Sequence, residues 1–215
     1  MDIALIGGHG KVALLAEPLL STAGHTVNAV IRDPDQSADV EAAGARPVVA
    51  DIETLDAYGW DELLRGNDAV VWAAGAGGGN PERTWAVDRG AAIASMESAR
   101  RVGATRYVMI SYFGAGPDHG VSEDDPFFAY AESKAQADAH LQGTELDWTI
   151  LAPSGLTLDE PTGRIEVGVP EGGHVSRGNV ARTIVAALER PGTIGKFLAF
   201  NDGDQEIGAA LDAAI

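Results

Sequence analysis

The chain has 215 residues, 45% of them apolar and 27 of them glycine, which suffices for one sizeable core and at most a small appended lobe. Fifteen basic against thirty-two acidic residues leave a net charge of −17, which opposes a sequence-independent grip on nucleic acid or adhesion to an anionic membrane. Cysteine is absent from the sequence, so thiol nucleophiles, disulfides and thiolate metal sites are excluded.

Short apolar runs rich in Val and Ile fall at 3–6, 26–31, 46–50, 68–74, 106–111 and 147–152, and read as buried strands. Helical patterns lie between them at 11–22, 35–43, 54–65, 81–102 and 127–142. Pro18, inside the first of these, removes a backbone donor and is expected to bend the helix or end it early. Strand and helix alternating this regularly imply right-handed crossovers and a parallel sheet covered on both faces, a doubly wound α/β fold. After Pro153 the text turns turn-rich, with a strand at 164–169, a helix near 177–190, a strand at 196–201 and a short closing helix. Residues 153–215 are too few for a separate substrate domain, so they are expected to cap the sheet edge within one domain spanning 1–215. Asp2 and the early glycines argue against a leader peptide, and no segment reaches the roughly 18 apolar residues of a membrane span. The expectation is a cytoplasmic protein, monomer or homodimer, acting on a small molecule without nucleic-acid or membrane partners.

The turn after the first strand reads "GGHGKVA". A mononucleotide P-loop needs a Ser or Thr after its lysine to bind magnesium, and Val12 follows Lys11. The pattern Gly7-x-x-Gly10-x-x-Ala13 instead follows the dinucleotide grammar: a turn, a close backbone approach to pyrophosphate, and a small residue where helix meets strand. Glycine also serves strand-to-helix turns that bind nothing. The second strand ends "VIRDPDQ", so Arg32 stands where a carboxylate would mark NAD and a cation would suit the 2′-phosphate of NADP. Lys11 supplies a second cation nearby; Arg32 otherwise pairs with Asp33 or Asp35 at the strand end. Asp51, in "ADIET", either accepts from an adenine amino group or caps the next helix. The string "WAAGAGGG" at 72–79 ends the fourth strand in small residues that let a cofactor lie close to the backbone, or simply form a loop.

"YAESK" places Tyr130 and Lys134 one helical turn apart on one face. A phenol with a pKa of about 10 is a sluggish acid, and a neighbouring ammonium favours the phenolate, so the pair reads as a general acid or base. Ser111, at the end of the fifth strand, is placed to hold a substrate oxygen. The other reading makes Tyr130 a helix residue half buried against the sheet and Lys134 a solvated charge near Glu132 or Asp138. His9 lies in the glycine loop, either touching phosphate or turned to solvent, His119 lies on a lid over the substrate or, as the favoured reading, a plain surface loop, and Trp72, Trp85 and Trp148 read as packing residues. The scattered acidic residues show no metal-ligand spacing, and no metal is expected.

The order GxxGxxA, Ala-Ala-Gly, Ser and YxxxK resembles the short-chain dehydrogenase/reductase superfamily. "VDRGAAIASMESARRVGATRYVMIS" and "YAESKAQADAHLQGTELDWTILAPSGLTLDEP" resemble its atypical NAD(P)H-binding branch, which includes flavin and biliverdin-IX-beta reductases and relatives of sugar epimerases. The likeness covers nearly the whole chain. It implies a Rossmann fold, NADP (or NAD) as cofactor, Tyr130 as proton donor or acceptor, Lys134 on the nicotinamide ribose and Ser111 orienting substrate. Cofactor contacts are then expected from Gly7, Gly8, His9, Gly10, Lys11, Val12, Arg32, Asp51, Ile52, Ala73, Ala74, Gly75, Ser111, Tyr130, Lys134 and Pro153. Ala152 departs from the arginine that relatives commonly carry before the proline. The activity implied is NADP(H)-dependent hydride transfer to a small carbonyl, quinone or flavin-like substrate. The alternatives are an NADP-sensing regulator without turnover and a sugar epimerase or dehydratase.

Overall fold

The computed structural model describes residues 1–77 and 80–215. Its strands are β1 (Asp2–Ile6), β2 (Thr26–Ile31), β3 (Arg46–Val49), β4 (Ala69–Trp72), β5 (Arg106–Ile110), β6 (Asp147–Pro153), β7 (Gly155–Thr157), β8 (Arg164–Val167), β9 (His174–Ser176), β10 (Lys196–Asp202) and β11 (Gln205–Glu206). Nine of them form one sheet in the order β3-β2-β1-β4-β5-β6-β10-β8-β11. The first seven are parallel; at one edge β8 pairs antiparallel with β10, and β11 pairs antiparallel with β8. β7 and β9 make a separate parallel pair.

The period of two along each strand divides the side chains between two cores. In β1, Ile3 and Leu5 enter one core while Ala4 and Ile6 enter the other. The first core is covered by α1 (Ala13–Thr22), α7 (Arg177–Leu188) and α8 (Ile207–Ala213), with Leu20 and Ile184 buried in it. The second is covered by α3 (Ala57–Leu64), α5 (Ala92–Val102) and α6 (Phe128–Gln142), with Trp60, Met96 and Leu141 buried. α2 (Ser37–Ala42) and α4 (Pro81–Thr84) are short. This is the doubly wound α/β architecture of the Rossmann type.

α1 does not stop early: it continues through Pro18 to Thr22. The proline lacks only the donor that would reach Leu14, and burial of Ala13, Ala16 and Leu20 on both sides of it holds the helix to the sheet. The helix expected over 81–102 is continuous in path, but Trp85–Ala91, between α4 and α5, is π-helical. The 35–43 segment begins as a 3-10 turn, Pro34–Gln36, before α2. Beyond Pro153 the chain does more than cap: β8, β10 and β11 extend the main sheet.

The chain leaves β1 toward β2 on one side and reaches β4 on the other, so the strand order reverses between β1 and β4. Such a reversal opens a crevice at the carboxyl ends of the strands, where ligands bind in open α/β sheets. Among the described residues no helix is long and apolar enough to cross a membrane.

Candidate active site

The glycine turn is built by close contacts. Gly7 has φ +88°, and a Cβ there would lie 2.7 Å from Ala74 Cα; a Cβ on Gly8 would lie 2.7 Å from that of Ala29. Both glycines are therefore fixed by packing between β2 and the end of β4. The amides of Gly7 and Gly8 donate to the Val30 carbonyl at 3.1 and 2.8 Å, and that of Gly10 to the Gly7 carbonyl at 2.8 Å. The amides of His9, Lys11 and Val12 have no such acceptor among the described residues. They gather at the amino end of α1, where no side chain caps the helix and its first turn holds no acid. Free amides at a helix amino terminus suit a diphosphate, so the loop fits a dinucleotide.

A cavity of about 270 Å³ runs from this loop to the end of β2, lined by Gly7, His9, Gly10, Arg32, Ile52, Ala73, Ala74 and Gly75 of the expected contacts. Sequence reasoning missed Gln36, Glu53 and Arg83 here. Arg32 donates to Glu53 Oε1 at 3.1 Å, and Arg83 donates to the same oxygen at 2.9 Å and to the Ala76 carbonyl at 2.5 Å. Arg32 thus pairs with Glu53 and not with its neighbours Asp33 or Asp35. His9 Nε2 lies 2.8 Å from Asp39 Oδ2. Gly8, Lys11 and Asp51 line neither this cavity nor the next. Asp51 accepts the Glu53 amide within its own turn, while Asp56 caps α3. Of the string 72–79, Gly78 and Gly79 lie outside the described residues.

A second cavity, of about 670 Å³, shares Ala73, Ala74 and Gly75 with the first, so the two form one groove across the strand ends. It brings together Ser111, Tyr130 and Lys134 with Val12 and Pro153. Tyr112, Phe127 and Tyr130 make an aromatic wall with ring centroids 5.2–5.5 Å apart. Lys134 is 1% exposed, and its Nζ donates to the Ile110 carbonyl at 2.7 Å. Two carboxyls surround it, of which only Asp88 was not singled out from the sequence. Asp88, from the π-helical turn, lines the cavity and accepts the Ala76 amide at 3.0 Å. Asp138, one turn beyond Lys134 on α6, is hydrogen-bonded to Ser111 Oγ. The alternative of a solvated Lys134 near Glu132 or Asp138 fails on exposure: the lysine is buried, with Asp138 and Asp88 as the charges beside it.

Burial raises the Asp88 acid, an effect offset in part by the Lys134 charge, and the same desolvation lowers Lys134. Tyr130 is pushed up, not down as the neighbouring ammonium suggested: burial acts first, then the charge of Asp88, with Tyr112 and Asp138 adding to it. The buried ammonium is held on the Ile110 carbonyl and brings no counteracting pull on the phenol. His119 does not stand free on its loop. Its ring accepts the Val121 amide at 3.0 Å and meets Glu132 on α6 at 3.0 Å, tying the 112–126 loop to that helix. Trp72 is fully buried, as a packing residue should be. Among the described residues no group of His, Asp and Glu is arranged to hold a metal ion.

The family model described as NAD(P)H-binding matches residues 7–191, from the glycine turn past the end of α7. The chain belongs to this NAD(P)H-binding family. A UPF0659 protein of Schizosaccharomyces pombe is 35% identical, with 96% of this chain and 92% of the relative aligned. A Bacillus halodurans structure with the provisional name NAD-dependent epimerase/dehydratase is 29% identical at a TM-score of 0.91, covering 99% of each chain. The oxidoreductase ylbE of Lactococcus lactis is 27% identical at a TM-score of 0.88, covering 99% of this chain and 96% of that one. The chain's relatives thus carry both oxidoreductase and epimerase names.

Proposed function

We propose that this NAD(P)H-binding protein is an NADPH-dependent reductase of the short-chain type, acting on a small carbonyl, quinone or flavin-like substrate. The observation that carries the reading is the continuous groove that joins the free amides of the glycine turn to Ser111, Tyr130 and Lys134. When bound, the dinucleotide supplies a hydride. The chain's own residues do the rest. Tyr130 exchanges the proton with the substrate oxygen, Ser111 orients that oxygen, and Lys134 holds the cofactor ribose while keeping the Tyr130 helix against β5. The aromatic wall excludes water. Residues 153–215 form the substrate side within one domain.

Preference for NADPH rests on Arg32 and Arg83, two guanidiniums on one Glu53 carboxylate at the ribose end of the first cavity. A 2′-phosphate gains two charge-assisted partners there. Arg32→Ala should weaken NADPH binding about tenfold and leave NADH within about twofold, measured by fluorescence titration. Equal losses for both cofactors would remove the preference.

The epimerase reading has a relative's name behind it but not the chemistry of the cavity. Among the residues lining the second cavity Lys134 is the one Lys or Arg, and the reductase reading already gives its ammonium to the Ile110 carbonyl and the cofactor ribose. A sugar diphosphate would find no cation there. The deciding experiment follows NADPH oxidation with menadione, free flavin and an aromatic aldehyde for wild type and Tyr130→Phe. The variant should lose about 10²–10⁴-fold in kcat/KM. Tight NADPH binding with no turnover of any of these would favour a sensing role instead.

A further inference from the structure

Asp138 lies outside the ring of residues that line the substrate cavity, yet it is hydrogen-bonded to one of them, Ser111. It is 3% exposed, and its second oxygen, Oδ1, is buried with no hydrogen-bond partner among the described residues. In an ionised carboxylate that oxygen would carry charge in the protein interior with no hydrogen bond to it, balanced only through space by Lys134. In a neutral acid it is only a carbonyl-like acceptor, which costs far less to leave unpaired. A neutral acid also has a proton to donate, and the acceptor in place is Ser111 Oγ.

The direction of that one bond decides what Ser111 offers to the cavity. If Asp138 donates, the serine O–H is free to donate to a substrate oxygen. If Asp138 is ionised, Ser111 must donate to it, and the cavity sees only oxygen lone pairs. We infer that Asp138 is a positioning residue that sets the polarity of Ser111, held as a neutral acid so that the serine donates to the substrate oxygen during reduction. The substrate half of this inference rests on the reductase reading; the protonation of Asp138 does not.

The groups facing Asp138 come from three elements. Lys134 and Tyr130 are on its own helix, β5 brings Tyr107, whose hydroxyl pairs with Ser95 Oγ, and the chain just beyond β5 brings Ser111 and Tyr112, while Asp88 of the π-helical turn acts on the far side, on Lys134 and Tyr130. Burial lifts the Asp138 acid to about 6, against the Lys134 charge and the Ser111 bond, which pull it down. The acid form therefore dominates below about pH 6, and reduction should slow as the pH rises through that value.

Two readouts test this. Infrared difference spectra of wild type against Asp138→Asn should show a protonated-carboxyl stretch in wild type at about pH 5, where an ordinary aspartate is largely ionised. That band should fade on the way to about pH 8 and be missing from the variant. A carboxylate signal alone at the acid end overturns the inference. With NADPH and menadione, Asp138→Asn, whose amide donates to Ser111 in place of the acid, should keep the acid-side rate and lose the decline on the alkaline side. Asp138→Ala should lose about tenfold. Equal losses in Asn and Ala variants with the wild-type pH profile retained would reduce Asp138 to a structural residue. Wild type that never oxidises NADPH removes the reductase reading, and the infrared arm still decides the state of Asp138.

Discussion

Glu17 shows how much one side chain contributes on its own. It lies on α1 with no exposed surface and with both carboxyl oxygens unpartnered among the described residues. Burial pushes its acid from 4.5 up to about 8. A group whose acid is weakened by folding holds its proton more tightly in the native state, so its stabilising contribution is fully present below about 4.5 and is lost as the pH rises through about 8. Glu17→Leu removes the buried charge while keeping most of the volume. The variant should be more stable by about 1–3 kcal/mol at the alkaline end and much less so at about pH 5, by calorimetric melting at both pH values. A gain that does not depend on pH would contradict this account. Glu17 drew no notice in the sequence, because a Glu in a helix is ordinarily solvated and only the tertiary packing of α1 takes the water away.

The glycine turn and the helix after it are the elements most legible in the sequence, because each glycine answers a local demand. Gly7 needs a left-handed φ and space beside Ala74, so Gly7→Ala should cost about 1–3 kcal/mol in stability. It should also abolish measurable NADPH binding by titration calorimetry, since Ala74 borders both cavities. Retained affinity would mean that the loop relaxes freely. The Tyr130–Lys134 pair was equally visible, since helical spacing alone places both on one face. Asp88 was not visible. Its presence at the cavity depends on the π-helical turn at Trp85–Ala91, which adds a residue to the local turn and rotates the helix beyond it, and no spacing in the sequence announces such a turn. The Arg83–Glu53 contact joins residues thirty positions apart, beyond the reach of any periodicity. β7, β9 and β11, two or three residues each, are too short to leave an alternating pattern.

At the scale of the whole molecule, alternation of strand and helix was enough to give the order of layers, whereas the return of β8, β10 and β11 into the sheet depends on long-range pairing. The net charge of −17 acts on the molecule as a unit. Mutual repulsion among the acids opposes compaction and is screened over about 10 Å at 0.1 M salt. Melting temperature should therefore rise by a few degrees as sodium chloride increases from about 0.01 to about 0.5 M, by scanning calorimetry. A flat or falling curve would show that paired charges such as Arg101–Asp61 matter more than the general excess.

The two rims of the sheet carry one further consequence. At one rim β3 is four residues long, begins with a charged Arg46 and includes Pro47, which has no amide to offer; at the other, β11 is only two residues. Neither presents a long ladder onto which another strand could zip. Growth of fibrils by strand addition to this sheet is thereby blunted at both of its ends.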